Sequence, residues 1–287
     1  MTTFGVLFAK QSKDYALHRP TYPASLYAAI ETFANSQAGT PSTSQAGPSG
    51  LAVDVACGTG QATAALANLY TQVIGIDSAP EQLAEATRLP NVQYFTGSAN
   101  DIPRSAVADG SADLVTVAQA FHWFDFPRAL AEISRVLKTP QGTSLTGANG
   151  VCAVWGYGNP VLGNPSANKR VNQTFYLDTM KGYWNDRRRH VDNEYQEIEQ
   201  EMRQAFHVVT ASRGELRIEK EVPLADFVRY LASWSAYQTF RDKNPEVKDP
   251  LIDLEVELCA DYGVDGPEHV VSFYYPIFLL LGAKPKK

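Results

Sequence analysis

The stretch Val53-Asp54-Val55-Ala56-Cys57-Gly58-Thr59-Gly60 decides how this 287-residue chain folds. Its apolar first half reads as a buried strand, and Gly58 and Gly60 frame a turn that opens into the helical pattern of Gln61 to Tyr70. Glycine at both positions lets the backbone take positive φ and leaves room for a bulky ligand beside the turn. Working outward, the same rhythm repeats. Strands are expected at Leu51 to Ala56, Gln72 to Asp77, Val92 to Thr96, Asp113 to Ala118 and Gly150 to Trp155, with helices near Gln61 to Tyr70, Pro80 to Arg88 and Pro127 to Leu137. Strands alternating with helices describe an α/β fold, a doubly wound and mostly parallel sheet covered on both faces.

On either side the chain changes character. Residues 1–34 read as an N-terminal arm and helix, with turn dipeptides Arg19-Pro20 and Tyr22-Pro23 followed by Leu26, Ile30 and Phe33 at helical spacing. Residues 35–50 (NSQAGTPSTSQAGPSG) are nearly all small or polar, cannot pack a core, and are expected to be a flexible linker loop. Residues 51–287 then form one domain. Within it Ser166 to Phe206 is long, polar and helical, an insertion over about residues 160–206. Glu215 to Val222 alternates as a strand, helices follow near Leu224 to Phe240 and Pro250 to Tyr262, and apolar Val270 to Leu281 supplies a last strand against Glu215 to Val222. Lying between strands five and six, the insertion can cap the carboxyl ends of the strands, where open α/β sheets bind their ligands.

Composition narrows the functions. With 44% hydrophobic and 20% charged residues the chain can bury a core, which excludes wholesale disorder. Its 25 Lys and Arg against 31 Asp and Glu leave a net charge of −6, with no general attraction for phosphate backbones, so nucleic acid is not an expected partner. Cys57, Cys152 and Cys259 are odd in number and widely spaced, fit neither a disulfide framework nor a zinc knuckle, and suit a reducing compartment. The longest apolar run, Pro276 to Ala283, is far shorter than the roughly 20 residues of a spanning helix. The first residues lack a cleavable-signal pattern. The expectation is a cytoplasmic protein with no membrane partner and no metal.

The glycine turn indicates a nucleoside ligand. A dinucleotide fingerprint places a third glycine three residues after Gly60, beside the pyrophosphate, and Thr63 stands there. No Lys-Ser or Lys-Thr follows the turn, so a phosphate-cradling loop is unsupported. Asp77 ends the second strand in Val73-Ile74-Gly75-Ile76-Asp77, about 20 residues past the first glycine, where a carboxylate can take ribose hydroxyls. A nucleoside without a pyrophosphate fits both facts.

These features, together with Gly97-Ser98-Ala99-Asn100 after the third strand and Glu132 to Lys138 running into Pro140-Gln141-Gly142, resemble a class I S-adenosylmethionine (SAM) methyltransferase. Tyr15 to Pro23 (YALHRPTYP), Gln119 to Asp125 (QAFHWFD) and, more loosely, Ser233 to Tyr237 (SWSAY) are similar to the fungal trans-aconitate methyltransferase family and the related cantharidin-detoxifying enzymes. The resemblance implies a seven-stranded sheet, SAM as methyl donor, and a small-molecule carboxylic acid as acceptor. Two positions depart from the superfamily pattern. Ala56 stands where many members have glycine, and Asn100 where many have an acidic residue, although an amide can still serve an adenine edge.

The candidate cofactor residues are then Tyr15, Arg19, Asp54, Ala56, Gly58, Gly60, Asp77, Ser78, Ala99, Asn100 and Gln119. Tyr15 and Arg19 are placed to reach a cofactor carboxylate from the arm, unless they form only a surface turn. Asp54 is either a buried anchor for the loop or a contact to the donor's amino group. Asp77, with Ser78 and Pro80 beside it, could cap the helix beginning at Pro80 instead of taking the ribose, and ribose binding is the favoured reading. His122 is the candidate orienting or basic group and Trp123 a cation-π wall for the sulfonium, each otherwise an ordinary packing aromatic. Trp155, Tyr157, Trp234 and Tyr237 are candidate acceptor-pocket residues, with core packing as the alternative. Arg187, Arg188 and Arg189 with His190 form the one dense basic cluster, able to attract a polycarboxylate or, as a solvated helix face near Glu194 and Glu197, to do nothing of the kind. A SAM-binding module without methyl transfer and a nucleic-acid methyltransferase are the competing functions. The latter lacks support because Gln119-Ala120-Phe121-His122-Trp123 stands where an Asn-Pro-Pro-Tyr-like loop is required.

Overall fold

The computed structural model describes residues 21–38, 50–139 and 149–286. Helix α1 (Ala24–Ala38) runs four residues into the expected linker; the rest of that linker up to residue 49, the arm before residue 21 and the turn at residues 140–142 lie outside the described residues. From β1 (Leu51–Val55) the elements alternate: α2 (Gln61–Leu66), β2 (Gln72–Asp77), α3 (Pro80–Ala84), β3 (Val92–Thr96), β4 (Leu114–Ala118), a 3-10 turn at Phe121–Trp123, α4 (Phe126–Val136) and β5 (Val151–Tyr157). There follow β6 (Val161–Leu162), α5 (Pro165–Lys169), a π-helix (Arg170–Thr179), α6 (Arg188–Asp192), α7 (Gln196–Ala205), β7 (Phe206–Pro223), α8 (Leu224–Ala232), α9 (Ser235–Lys243), α10 (Pro250–Tyr262) and β8 (Val270–Pro285).

These strands form one sheet in the order β3-β2-β1-β4-β5-β8, with β7 on the far side of β8 and the two-residue β6 continuing the β5 edge. Strands β1 to β5 pair in parallel, while β8 runs antiparallel to both β5 and β7. Apart from β6, this is the expected doubly wound sheet of seven strands. Successive β1 residues feed opposite faces, as a pleated strand requires. Ala52 joins a core with Leu26, Ile30 and Leu66, whereas Val53 and Val55 join one with Ile133, Val136 and Met202. Because β8 is flanked on both edges and covered on both faces, Ile277 to Leu281 is a continuous apolar run rather than an alternating one.

Several helices are shorter than periodicity suggests. Helices α2 and α3 stop at Leu66 and Ala84. The helix expected over Leu224 to Phe240 is two, because Trp234 takes an extended conformation and turns against Tyr176 and Trp184, at 5.6 Å from each ring. The single long helix expected over Ser166 to Phe206 is broken near Gly182 (φ 79°) and again at Glu194 and Tyr195, both left-handed (φ 54° and 61°). The strand expected from Glu215 begins nine residues earlier, at Phe206, where β-branched Val208, Val209 and Thr210 favour extended backbone. Arg170 ties the insertion to α10 through Asp261 (2.6 Å) and Glu257 (2.8 Å). Among the described residues, no helix is long and apolar enough to cross a membrane.

Candidate cofactor and acceptor site

The loop after β1 turns through three left-handed residues, Ala56 (φ 56°), Gly58 (φ 57°) and Gly60 (φ 90°). A β-carbon at Gly60 would stand 2.7 Å from the Tyr94 hydroxyl, so glycine is required there by contact as well as by conformation. Ala56 makes the first bend without that freedom, at a cost of order 1 kcal/mol. The Gly58 N–H donates to Asp77 Oδ2 at 2.8 Å, and the Ala79 N–H donates to Oδ1 at 2.9 Å. The carboxylate therefore braces the glycine turn and the approach to α3 together. With about four lone-pair sites, it retains capacity for at least one further donor. Burial raises the Asp77 pKa, opposed by the N–H groups of Ala79, Gly58 and Ser78.

Asp54 sits beneath this loop with no exposed surface, accepting the hydroxyls of Thr63 (2.6 Å) and Thr116 (2.7 Å). The geometry anchors the loop, and it explains why threonine occupies the position where a dinucleotide loop has glycine. Burial pushes the Asp54 pKa up to about 6, with both threonine hydroxyls working against it.

Beyond β3, Ala99 is buried and the Asn100 N–H donates to Ser98 Oγ at 3.1 Å. Among the described residues, Asn100 Oδ1 is buried with no partner. An orphan acceptor at this sheet edge matches what the exocyclic amino group of an adenine would supply. Beyond β4, Gln119 is left-handed (φ 52°), and its amide accepts from the Tyr157 N–H (2.7 Å) and donates to the Tyr157 carbonyl (3.2 Å), joining the ends of β4 and β5.

Next to these carboxyl ends lies a pocket. Gln119, His122, Trp123 and Tyr157 form its sheet side, and Trp184 and Arg188 from the insertion, with Tyr230 and Trp234, form its roof. The pocket thus brings together His122, Trp123, Tyr157 and Trp234. Two other acceptor candidates are corrected. Trp155 is fully buried against Tyr22 and Tyr27 (5.3 and 6.3 Å), and Tyr237 is buried with its hydroxyl donating to Asp249 at 2.7 Å; neither lines the pocket. Tyr15 and Arg19 lie outside the described residues.

The basic cluster divides three ways, so reading it as one solvated face is also corrected. Arg187 donates through Nη1 to the carbonyls of His122 (3.0 Å) and Phe124 (2.9 Å), Arg189 is exposed, and Arg188 turns into the pocket wall. The Arg188 guanidinium lies over Trp184 and Tyr176 (4.9 and 5.3 Å from the ring centres). Its Nε donates to Tyr176 Oη (2.9 Å) and Asp192 Oδ1 (3.0 Å), and Nη2 donates to Asn159 Oδ1 (2.6 Å), leaving Nη1 without a partner among the described residues. Burial works against its charge, and the Tyr176 and Asp192 oxygens hold its pKa above the ordinary value. The signal that could have singled it out is spacing: Trp184, Arg188 and Asp192 recur every fourth residue and share one side of the turn. Tyr195 carried no such signal; its hydroxyl lies 2.8 Å from His122 Nδ1.

Comparison with known proteins agrees with this arrangement. Residues 53–145 match the family model of a methyltransferase domain. A Dictyostelium discoideum protein named "Putative methyltransferase" is 30% identical over 99% of this chain and 97% of its own length. A Saccharomyces cerevisiae protein named "Probable S-adenosylmethionine-dependent methyltransferase" is 25% identical over 92% of this chain and 94% of its own. The solved structure of a "Putative Type II Methyltransferase" from Anaeromyxobacter dehalogenans superposes with a TM-score of 0.70 at 28% identity, covering 93% of this chain and 99% of that one. The strand order, the glycine turn braced by Asp77, the orphan Asn100 oxygen and a full-length relative converge on one conclusion: the chain belongs to the class I SAM-dependent methyltransferases.

Proposed function

We propose that this methyltransferase acts on a small organic acid, transferring a methyl group to a carboxylate oxygen to form a methyl ester. The observation that carries the reading is Arg188, a partly buried cation whose Nη1 has no partner among the described residues, in the wall of a pocket that also holds Trp123, Tyr157, Trp184, Tyr230 and Trp234. A guanidinium fixed on three sides by Tyr176, Asp192 and Asn159 suits a carboxylate, which it grips through paired N–H donors. A carboxylate is also ionised at neutral pH and needs no base to become a nucleophile. A trans-aconitate 2-methyltransferase of Deinococcus radiodurans is 37% identical over 30% of this chain and 33% of its own length, which supports the acid reading within that span.

SAM, when bound, supplies a methyl group already activated by a sulfonium charge. The protein's part is to bind, orient and exclude water. Asp77, with Ser78 beside it, offers its remaining lone pairs to ribose hydroxyls, Asn100 with Ala99 takes the adenine edge, and Ala56, Gly58 and Gly60 form the floor of the turn. Gln119 and Trp123 border the sulfonium, Trp123 by a cation-π contact. The insertion, residues 160–206, serves as the acceptor-side cap, and Tyr157 and Trp234 with Trp184 and Tyr230 shield the reacting groups from water.

Mass spectrometry of a panel of di- and tricarboxylic acids, amines and thiols incubated with the protein and methyl-labelled SAM tests the proposal. Labelled methyl esters are expected. Label on amines or thiols alone would overturn the acid reading, and bound SAM with no labelled product would favour a binding module.

A further inference from the structure

Asn159 follows β5 and is fixed on both sides. The Gly158 N–H donates to the Pro276 carbonyl (2.9 Å), and the Pro160 carbonyl accepts from Asn172 Nδ2 (2.8 Å). As the residue before a proline, Asn159 is also kept out of helical backbone. Its side chain is thereby presented at the carboxyl end of the sheet, where it lines the acceptor pocket together with Arg188. The two residues lie 29 apart in sequence, one at the end of β5 and one on the insertion, and Arg188 Nη2 joins them by donating to Asn159 Oδ1 at 2.6 Å.

Which way the amide faces follows from its partner. A guanidinium has donors and no acceptor, so the group turned toward it is the amide oxygen, and the amide nitrogen is left with its two N–H donors. Among the described residues, neither Asn159 Nδ2 nor Arg188 Nη1 has a partner. A neutral donor and a cationic one are thus left over on a single hydrogen-bonded pair that lines one pocket. Charge alone does not make this pair an anion site, because Asp192 Oδ1 lies 3.0 Å from Arg188 Nε and offsets the guanidinium. What remains is directional: half-buried N–H groups whose desolvation is compensated only when lone pairs meet them.

We propose that Asn159 is a specificity-determining residue of the acceptor pocket: its Nδ2 donates to one oxygen of the acceptor's carboxylate while Arg188 Nη1 donates to the other, a fork assembled from the end of β5 and the insertion. The inference rests on the acid reading above and deepens it. A carboxylate brings two oxygens to two donors, whereas an alcohol brings one and a protonated amine none. With about four lone-pair sites, a carboxylate held this way keeps a free pair for attack on the methyl group.

A double-mutant cycle on the full-length chain separates direct contact from a supporting role. With acids that the wild type methylates, Asn159→Ala should raise KM about tenfold, with kcat nearly unchanged and SAM affinity by calorimetry unaltered, as for one lost hydrogen bond to a charged group. In an Arg188→Gln background the same substitution should still raise KM about threefold or more. A residue that only held Arg188 in place would add nothing there; that result, or an unchanged KM in Asn159→Ala alone, overturns the proposal. Side-chain amide proton-nitrogen correlation spectra of the nitrogen-15-labelled chain give a second reading, with the Asn159 pair of signals assigned by its loss in Asn159→Asp. Saturating acid is expected to shift that pair, and a pair that stays in place while acid binds overturns the assignment. If no acid is methylated, calorimetry of fumarate, succinate and citrate with wild type and Asn159→Ala distinguishes the two readings. Binding weakened about tenfold by the substitution keeps Asn159 as a carboxylate ligand while the methyl-ester reading falls. Binding that is absent in the wild type, or indifferent to Asn159→Ala, overturns the fork as well.

Discussion

Asp54 holds a buried carboxylate between two threonine hydroxyls, and its ionisation sets a measurable pH dependence. Its folded pKa of about 6 lies above the roughly 3.9 of an unfolded aspartate. Between those values the folded chain holds a proton that the unfolded chain releases, so stability falls as pH rises through the window and the deficit is complete above the folded value. Asp54→Asn should accordingly gain on the wild type by about 2–3 kcal/mol between pH 4 and pH 7 in paired denaturant titrations. A constant gap across that range would remove the buried charge from the account. At Asp77 the prediction concerns binding. Asp77→Ala should weaken SAM at least about tenfold by calorimetry, with Asp77→Asn as the control that keeps the brace's shape. Unchanged affinity would refute the ribose assignment.

At the scale of elements, legibility followed sequence distance. Gly58, Gly60 and Asp77 belong to one βαβ unit whose local spacing fixes where they meet, so their meeting was readable from the residues alone. Arg187 and Tyr195 lie on the broken insertion and meet His122 only because the chain turns at Gly182 and Glu194, positions that helical periodicity passes over. The aromatic candidates were ambiguous for a related reason. Trp155 and Tyr157 are two residues apart on β5 and share a face, yet Tyr157 lies at the strand's open end and Trp155 within the core. The Arg187 contacts make a prediction about the insertion. Two guanidinium hydrogen bonds to the carbonyls of His122 and Phe124 clamp it to the post-β4 turn, each worth about 1.5–3 kcal/mol. Arg187→Ala should raise amide hydrogen exchange in residues 121–124 by about tenfold or more, and unaltered protection would show that the clamp carries no load.

For the molecule as a whole, β8 is the keystone, paired along its length with β5 and β7 while α7 crosses its face. Gly282 permits that crossing, since a β-carbon there would meet Phe206 at 2.8 Å and Met202 at 3.0 Å. Gly282→Ala should cost about 1–3 kcal/mol in chemical denaturation, and a neutral result would mean that α7 and the Phe206 ring yield easily. The sheet and its alternating helices were legible throughout because binary patterning records burial on both faces; the acceptor roof was not, because it is assembled from α8, the start of α9 and the insertion across long separations. Recognition of the acceptor depends on that roof. Steady-state kinetics of Arg188→Gln with acid acceptors, alongside calorimetry of SAM, measures it most directly. Loss of a charged carboxylate partner predicts KM raised at least about tenfold with SAM affinity unchanged. An unchanged KM for every acid that the wild type methylates would contradict the claim that this pocket recognises carboxylates.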